Sequence, residues 1–254
     1  MPAMLISTQG LVLHTTQYSE SSVIAHIFTR ELGRRSYILK GVRNAKSRVK
    51  QSILQPLSHV DLVVYEKSQH DSLNYVKEIS PISNFGSSNI SCDAVASALL
   101  FFMDEVLYRS LRENEPNPSM FDYVVSEIQS LGQEPYAATP ILFLIRIARF
   151  LGIEPFDNHS IHEPLFNLKE GRFLAKPTRK DMFAFANYDY FLSDSASTQL
   201  HYYLEASHNN VQIPPRLSLQ QRTELINVLL EYYHLHLPDF SNFKSHQVLH
   251  TVLQ

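Results

Sequence analysis

The order of apolar and polar positions divides this chain into two parts with different periods. Between residues 10 and 80, apolar and β-branched residues alternate with polar ones over short runs separated by turn residues. A period of two is typical of half-buried strands. The five runs are 11–16, 22–29, 35–40, 60–65 and 73–79. Five short strands predict a small barrel or sandwich, and five is the strand number of the OB-fold, a barrel that often binds oligonucleotides.

After about residue 90 the period becomes 3.6, which predicts helices. Candidate caps are Asp93, Ser119 and Thr139, the last followed by Pro140 at the first helical position. A fourth cap, Ser218, has the spacing of a capping box with Gln221. The predicted helices are 93–112, 119–131, 139–151, 218–236 and 245–253. The third is apolar on almost every side, which is typical of a helix buried in a bundle.

The segment 153–195 shows no clear period and contains three prolines and a glycine, so we expect an irregular insert. The fold class expected is therefore α+β. A five-stranded OB-fold barrel at 1–80 precedes an all-α helical domain at 81–254, which carries the insert.

Composition narrows the class of protein. Apolar residues make up 44% of the chain, which excludes wholesale disorder. The longest apolar run, 140–145, is far shorter than the roughly 18–20 residues of a membrane span. No secretory leader is expected from the first residues. The single cysteine, Cys92, excludes a disulfide framework and a four-thiolate zinc site, so a reducing cytoplasm is expected.

Charge is distributed unevenly. Eight basic residues and one acid lie between 30 and 50, a net charge of +7, whereas the rest of the chain has 14 basic and 24 acidic residues, a net charge of −10. Clustered cations release counterions from phosphates, which gives salt-sensitive binding without sequence preference. Tyr37, beside this cluster, is a candidate stacking platform for bases. The alternatives are a solvated loop without a partner and a tyrosine that belongs to the core.

Enzyme motifs are weak. The sequence has no G-x-S-x-G, no P-loop and no G-x-G-x-x-G. Acids are too numerous to pair by sequence, so an unrecognised hydrolase stays open, as does a helical protein-interaction adaptor with a merely structural β domain.

Several short pieces, in order along the chain, resemble the bacterial DNA repair protein family RecO. The pieces are Gly10-Leu-Val-Leu, Tyr18-Ser-Glu-Ser-Ser, Glu31-Leu-Gly-Arg-Arg, Lys40-Gly-Val-Arg with Lys46-Ser-Arg, Leu54-Gln-Pro-Leu, and 146–152. The likeness is densest over 10–80 and thin over 155–215. It is the ordered series, followed by a helical body, that is specific.

This resemblance implies a recombination mediator and not an enzyme. Such proteins bind single- and double-stranded DNA, anneal complementary strands and, with RecR, help load RecA onto strands coated by single-stranded DNA-binding protein. A bacterial, nucleoid-associated location and no cofactor are implied. The expected DNA contacts, which charge clustering selects as well, are Arg34, Arg35, Lys40, Arg43, Lys46, Arg48 and Lys50, with Tyr37 beside them.

A second site is implied in the helical domain, where relatives take the acidic, Phe-ending tail of single-stranded DNA-binding protein. Arg146 and Arg149 are three residues apart and share a helix face. With Phe143 and Phe150 they would suit a carboxylate and an aromatic ring. The alternative is that both arginines pair with acids such as Glu105 or Glu127 and hold the bundle together.

The chain departs from many members of the family, which carry a four-cysteine zinc finger in this domain. His159 and His162 are spaced like ligands, but no second pair follows, so no metal is expected. Apolar contacts from Phe166, Leu168, Phe173 and Leu174 would then hold the insert.

Overall fold

The computed structural model describes residues 4–42, 51–66, 73–82, 93–131, 136–177, 190–209, 216–241 and 243–252. The chain divides into two compact units, Met1–Glu134 and Pro135–Gln254. The first unit contains the barrel and two helices, so it ends well after the domain boundary of 80/81 that is expected from sequence. That boundary remains a prediction.

A closed five-stranded barrel forms the first part of the chain, as predicted. Its strands are β1 (Met4–Gln17), β2 (Val23–Thr29), β3 (Gly33–Leu39), β4 (His59–Glu66) and β5 (Asn74–Pro81). Their order around the barrel is β1-β2-β3-β5-β4. Neighbours are antiparallel except β3 and β5, which run parallel and pair only at Tyr37–Asn74 and Ile38–Tyr75. The short β3–β5 junction closes the barrel.

The barrel core follows from the alternation seen in the sequence. Inward and outward residues alternate over most of the barrel, as Ala25 and Ile27 on β2 and Leu62 and Val64 on β4 show. These side chains are at most 1% exposed. β1 is long enough to pair with both β2 and β4, which wraps the sheet around this core.

Two helices accompany the barrel in the first unit, α1 (Ala94–Ser110) and α2 (Pro118–Ser130). Asp93 caps α1 as predicted, accepting hydrogen bonds from the amides of residues 95 and 96. The cap of α2 is Asn117 rather than the predicted Ser119, because Pro118 occupies the first helical position and needs no amide partner. Both helices contact the outer face of the barrel: Phe121 of α2 meets Phe28 at 5.5 Å between ring centres.

The second unit is mainly helical. Its elements are α3 (Thr139–Phe150), β6 (Leu165–Asn167), β7 (Arg172–Leu174), α4 (Asp194–Asn209), α5 (Leu219–His236) and α6 (Ser245–Val252). Ser218 and Gln221 form the predicted capping box of α5. Ala138, and not Thr139, precedes α3 and makes no side-chain cap. None of the described helices is long and apolar enough to cross a membrane.

The predicted irregular insert includes a short regular element. It contains the β6–β7 hairpin, whose Phe166 and Phe173 are fully buried with ring centres 5.1 Å apart. Leu168 is 7% exposed and Leu174 is half-buried, so apolar contacts hold this segment as expected. The expectation of an all-α domain is corrected by this small sheet.

Gly33 should tolerate substitution less than Gly152, although both have a φ near +70°. A Cβ at Gly33 would lie 2.5 Å from the backbone of Glu115, whereas one at Gly152 would meet nothing within 4 Å. Gly152→Ala should therefore cost only the left-handed strain of about 1–2 kcal/mol. Gly33→Ala should cost about 1–3 kcal/mol more from overpacking. Urea unfolding of the two variants measures the difference, and equal losses would contradict it.

Candidate nucleic-acid interface

Tyr37 lies inside the barrel and not on its surface. It shares the inward side of β3 with Leu39, and its ring is 0% exposed. Its hydroxyl donates to Oε1 of Glu66 at 3.3 Å, and burial raises the pKa of this phenol. The prediction that Tyr37 is a stacking platform is therefore wrong, and the core alternative holds.

Arg35 lies on the same inward side of β3, at one end of the barrel. Its Nε donates to the carbonyl of Leu32 at 3.2 Å, and its Nη1 is 3.9 Å from Oε2 of Glu66. Asn74 donates to the other oxygen of that carboxylate at 3.0 Å. The Arg35 side chain is only 13% exposed. Its charge is thus largely balanced by a buried acid.

Arg34 points outward but is covered by α1. Its Nη1 donates to the carbonyls of Tyr108 at 2.6 Å and Leu111 at 3.0 Å. These carbonyls belong to the C-terminal end of the helix, where a cation is stabilised by the helix dipole. The guanidinium also lies 4.9 Å from the centre of the Tyr108 ring. Arg34 therefore attaches α1 to the barrel.

Arg30, the first cation of the cluster, is paired with α2. Its Nε and Nη2 donate to the two carboxylate oxygens of Asp122 at 2.8 and 2.9 Å. This hydrogen bonding lowers the pKa of Asp122. Three of the eight cations that the sequence groups together, Arg30, Arg34 and Arg35, thus interact with groups of the chain itself.

The remaining five cations form what we call the basic segment, residues 40–50, which contains no acid. Lys40 is exposed, and its Nζ lies 4.6 Å from the centre of the Tyr75 ring. Gly41 has a φ of +73°, and Val42, 5% exposed, packs into the barrel core. The other members, Arg43, Lys46, Arg48 and Lys50, lie outside the described residues.

On α3, the predicted tail-binding residues are not equivalent. Phe143 is fully buried, so its predicted contact with a partner is wrong. Arg149 donates twice to Oε1 of Glu154, at 2.9 and 2.7 Å, and once to Oε2 at 3.0 Å. Glu154 lies five residues along the chain, and it differs from the partners expected from sequence, Glu105 and Glu127. Arg146 and Phe150 are half-buried.

His159 and His162 are in different environments. The His159 ring stacks on that of His201 at 4.4 Å, and burial lowers its pKa. His162 is exposed. Within the described ranges, no group of three or more His, Cys, Asp or Glu side chains is arranged to hold a metal ion.

Arg34 and Lys40 should contribute unequally to the stability of the first unit. Arg34→Gln removes the donors to two helix-terminal carbonyls and should lower the free energy of unfolding by about 1.5–3 kcal/mol. Lys40→Gln, at an exposed position, should change stability by less than about 0.5 kcal/mol. Urea unfolding checks this pair. A Lys40 variant as unstable as the Arg34 variant would contradict the assignment.

Comparison with known proteins agrees with this architecture. The chain matches the family model of the recombination protein O N-terminal domain over residues 4–85 and that of its C-terminal domain over 92–163. A DNA repair protein RecO of Bacteroides fragilis is 30% identical over 249 residues, which are 97% of this chain and 98% of that relative.

Other similar relatives cover the chain as completely. The DNA repair protein RecO of Phocaeicola vulgatus is 29% identical over 97% of this chain and 98% of its own length. The DNA repair protein RecO of Porphyromonas gingivalis is 29% identical over 98% of this chain and 99% of its own length. The barrel with its helical partner unit and these full-length matches show that the chain belongs to the RecO family.

Proposed function

We propose that this protein is a non-enzymatic recombination mediator in DNA repair. It binds single- and double-stranded DNA, anneals complementary strands and, together with RecR, helps load RecA onto strands coated by single-stranded DNA-binding protein. It acts in the bacterial cytoplasm at the nucleoid. The observation that supports this proposal is the basic segment at the end of β3, with five cations and no acid in eleven residues.

The contacts of the three arginines that precede the basic segment narrow the set of residues that can bind DNA. Arg30 and Arg35 are paired with carboxylates, and Arg34 with helix carbonyls. Binding these side chains to phosphate would break contacts that stabilise the first unit. We therefore assign the phosphate contacts to the other five cations, Lys40, Arg43, Lys46, Arg48 and Lys50.

The mechanism of annealing is electrostatic. Each cation that meets a phosphate releases counterions, whatever the base sequence. Two strands held on one basic surface repel each other less, so complementary bases can approach and pair. This step forms and breaks no covalent bond and uses no cofactor.

Reversing three charges of the basic segment should abolish most binding to single strands. In a variant with Arg43, Lys46 and Arg48 all changed to Glu, we expect affinity to fall more than about tenfold at low salt. The slope of log affinity against log salt should become shallower by about 2, since each phosphate contact on a single strand contributes about 0.7. Anisotropy titrations of a labelled oligonucleotide at several salt concentrations measure both quantities.

The matched control reverses three exposed cations of the second unit, Lys169, Arg172 and Lys176, and changes the net charge equally. It should bind and anneal more like the parent protein. An annealing assay with complementary strands follows the same variants. Equal losses of affinity in both triple variants would mean that only the net charge matters. A protein that binds partner proteins but has no affinity for DNA would instead be an adaptor.

The proposal includes an interaction with the acidic, Phe-ending tail of single-stranded DNA-binding protein, at Arg146 and Phe150 of α3. The guanidinium of Arg149 donates to Glu154, so a tail carboxylate would compete with that acid there. In the proposed complex Arg146 meets the carboxylate, and the half-buried ring of Phe150 meets the terminal phenyl group.

Arg146→Ala should weaken binding of the tail peptide about tenfold or more, as expected for the loss of a charged hydrogen bond. Arg149→Gln should weaken it less and should lower stability instead. Calorimetric titration of the peptide, with a peptide lacking its terminal Phe as control, tests this. A larger effect at Arg149 would place the tail elsewhere on α3.

A further inference from the structure

A row of apolar and aromatic side chains crosses the outer face of β1, β4 and β5. Leu5 is directly opposite Tyr65, and Tyr65 is directly opposite Tyr75. We call these three residues the tyrosine row. Cross-strand partners on one face are neighbours about 5 Å apart, so the row extends roughly 10 Å across three strands.

These side chains point away from the core. On β4, Val64 and Glu66 are buried, and Tyr65 between them is half-exposed. Tyr75 is also half-exposed, and Leu5 is 48% exposed. A leucine and two tyrosine rings side by side on an exposed sheet form a surface on which flat, apolar groups can stack.

The other side of the barrel is occupied by the protein itself. OB-folds commonly hold oligonucleotides across strands 2 and 3. Here that face carries Phe28 against Phe121 of α2, and Arg34 against the end of α1. Bases that approach that face would therefore meet α1 and α2. The two helices also reach His14 of β1 and His59 of β4, whereas the tyrosine row lies toward the other ends of these two strands.

Lys40 joins the tyrosine row to the basic segment. It is the first cation of that segment, and its ammonium group lies over the Tyr75 ring at 4.6 Å. A cation placed beside exposed aromatic rings is the combination by which proteins hold single strands without reading their sequence. The chemistry of the surface thus matches a ligand with phosphates on one side and flat bases on the other.

We propose that the tyrosine row is a stacking platform for unpaired bases of single-stranded DNA, with Lys40 beside it to meet the phosphates. This inference rests on the proposed DNA-binding function and adds a strand preference to it. Bases in a duplex are already stacked on each other and cannot lie on the rings. The row therefore strengthens binding to single strands only, whereas the basic segment serves both forms.

The test compares two labelled probes of equal length and charge, a twenty-residue oligothymidine and an abasic strand. Replacing Tyr65 or Tyr75 by Ala should weaken oligothymidine binding about 5- to 150-fold, the range for loss of one stacked base. Binding of the abasic strand and of a duplex should change less than about twofold. Tyr→Phe at either position should retain the parent affinity, and Tyr18→Ala, at an exposed tyrosine beyond the other end of β1, is the matched control.

A second measurement uses the unaltered protein, so that it does not depend on the stability of a variant. Oligothymidine carrying 5-iodouracil should crosslink to Tyr65 or Tyr75 on irradiation, as mapped by mass spectrometry. Crosslinks only at other residues, or unchanged oligothymidine binding in both alanine variants, would overturn the platform. Equal binding of both probes by the parent protein would refute the platform alone, whereas binding of neither would refute the proposed function.

Discussion

The neutralisation of two adjacent arginines on β3 is the constraint on which the rest of the first unit depends. Alternation along a strand sends Arg34 and Arg35 to opposite faces of the barrel wall. A charge removed from water is costly unless it is paired and hydrogen-bonded. Inside, Arg35 meets Glu66, which also accepts a hydrogen bond from Asn74, and outside, the end of α1 meets Arg34. The position of the first helix is thus linked to the charges of a strand.

The same constraint assigns a structural role to part of the cationic cluster. The sequence presents eight cations as one cluster, but the fold uses the first three to hold itself together. The cations beyond the end of β3 have no acid among them in the sequence. The division separates the three arginines that stabilise the barrel from the five cations that we propose contact DNA.

The local sequence pattern predicted most of the strands and helices, but fewer of the contacts made by the candidate site residues. The strands follow from alternation, and the caps at Asp93 and Ser218 follow from short spacings. The burial of Tyr37 was readable from its alternation with Leu39. The partners of Arg34 lie 74 and 77 residues along the chain, a distance over which no local pattern extends. The β6–β7 hairpin and α4 were missed because three-residue strands are too short for a period and α4 has a mixed composition.

The parallel β3–β5 junction has a consequence for the energetics of binding. Only two residue pairs join these strands, so the barrel has fewest hydrogen bonds along this line. Lys40 follows β3 and Tyr75 lies on β5, and the two touch across it. A ligand bound by both residues would bridge the strand pair that has the fewest hydrogen bonds. Because such a ligand binds only the folded barrel, the melting temperature of the barrel would rise with ligand concentration. The free energy of ligand binding would then also contribute to the stability of the folded barrel.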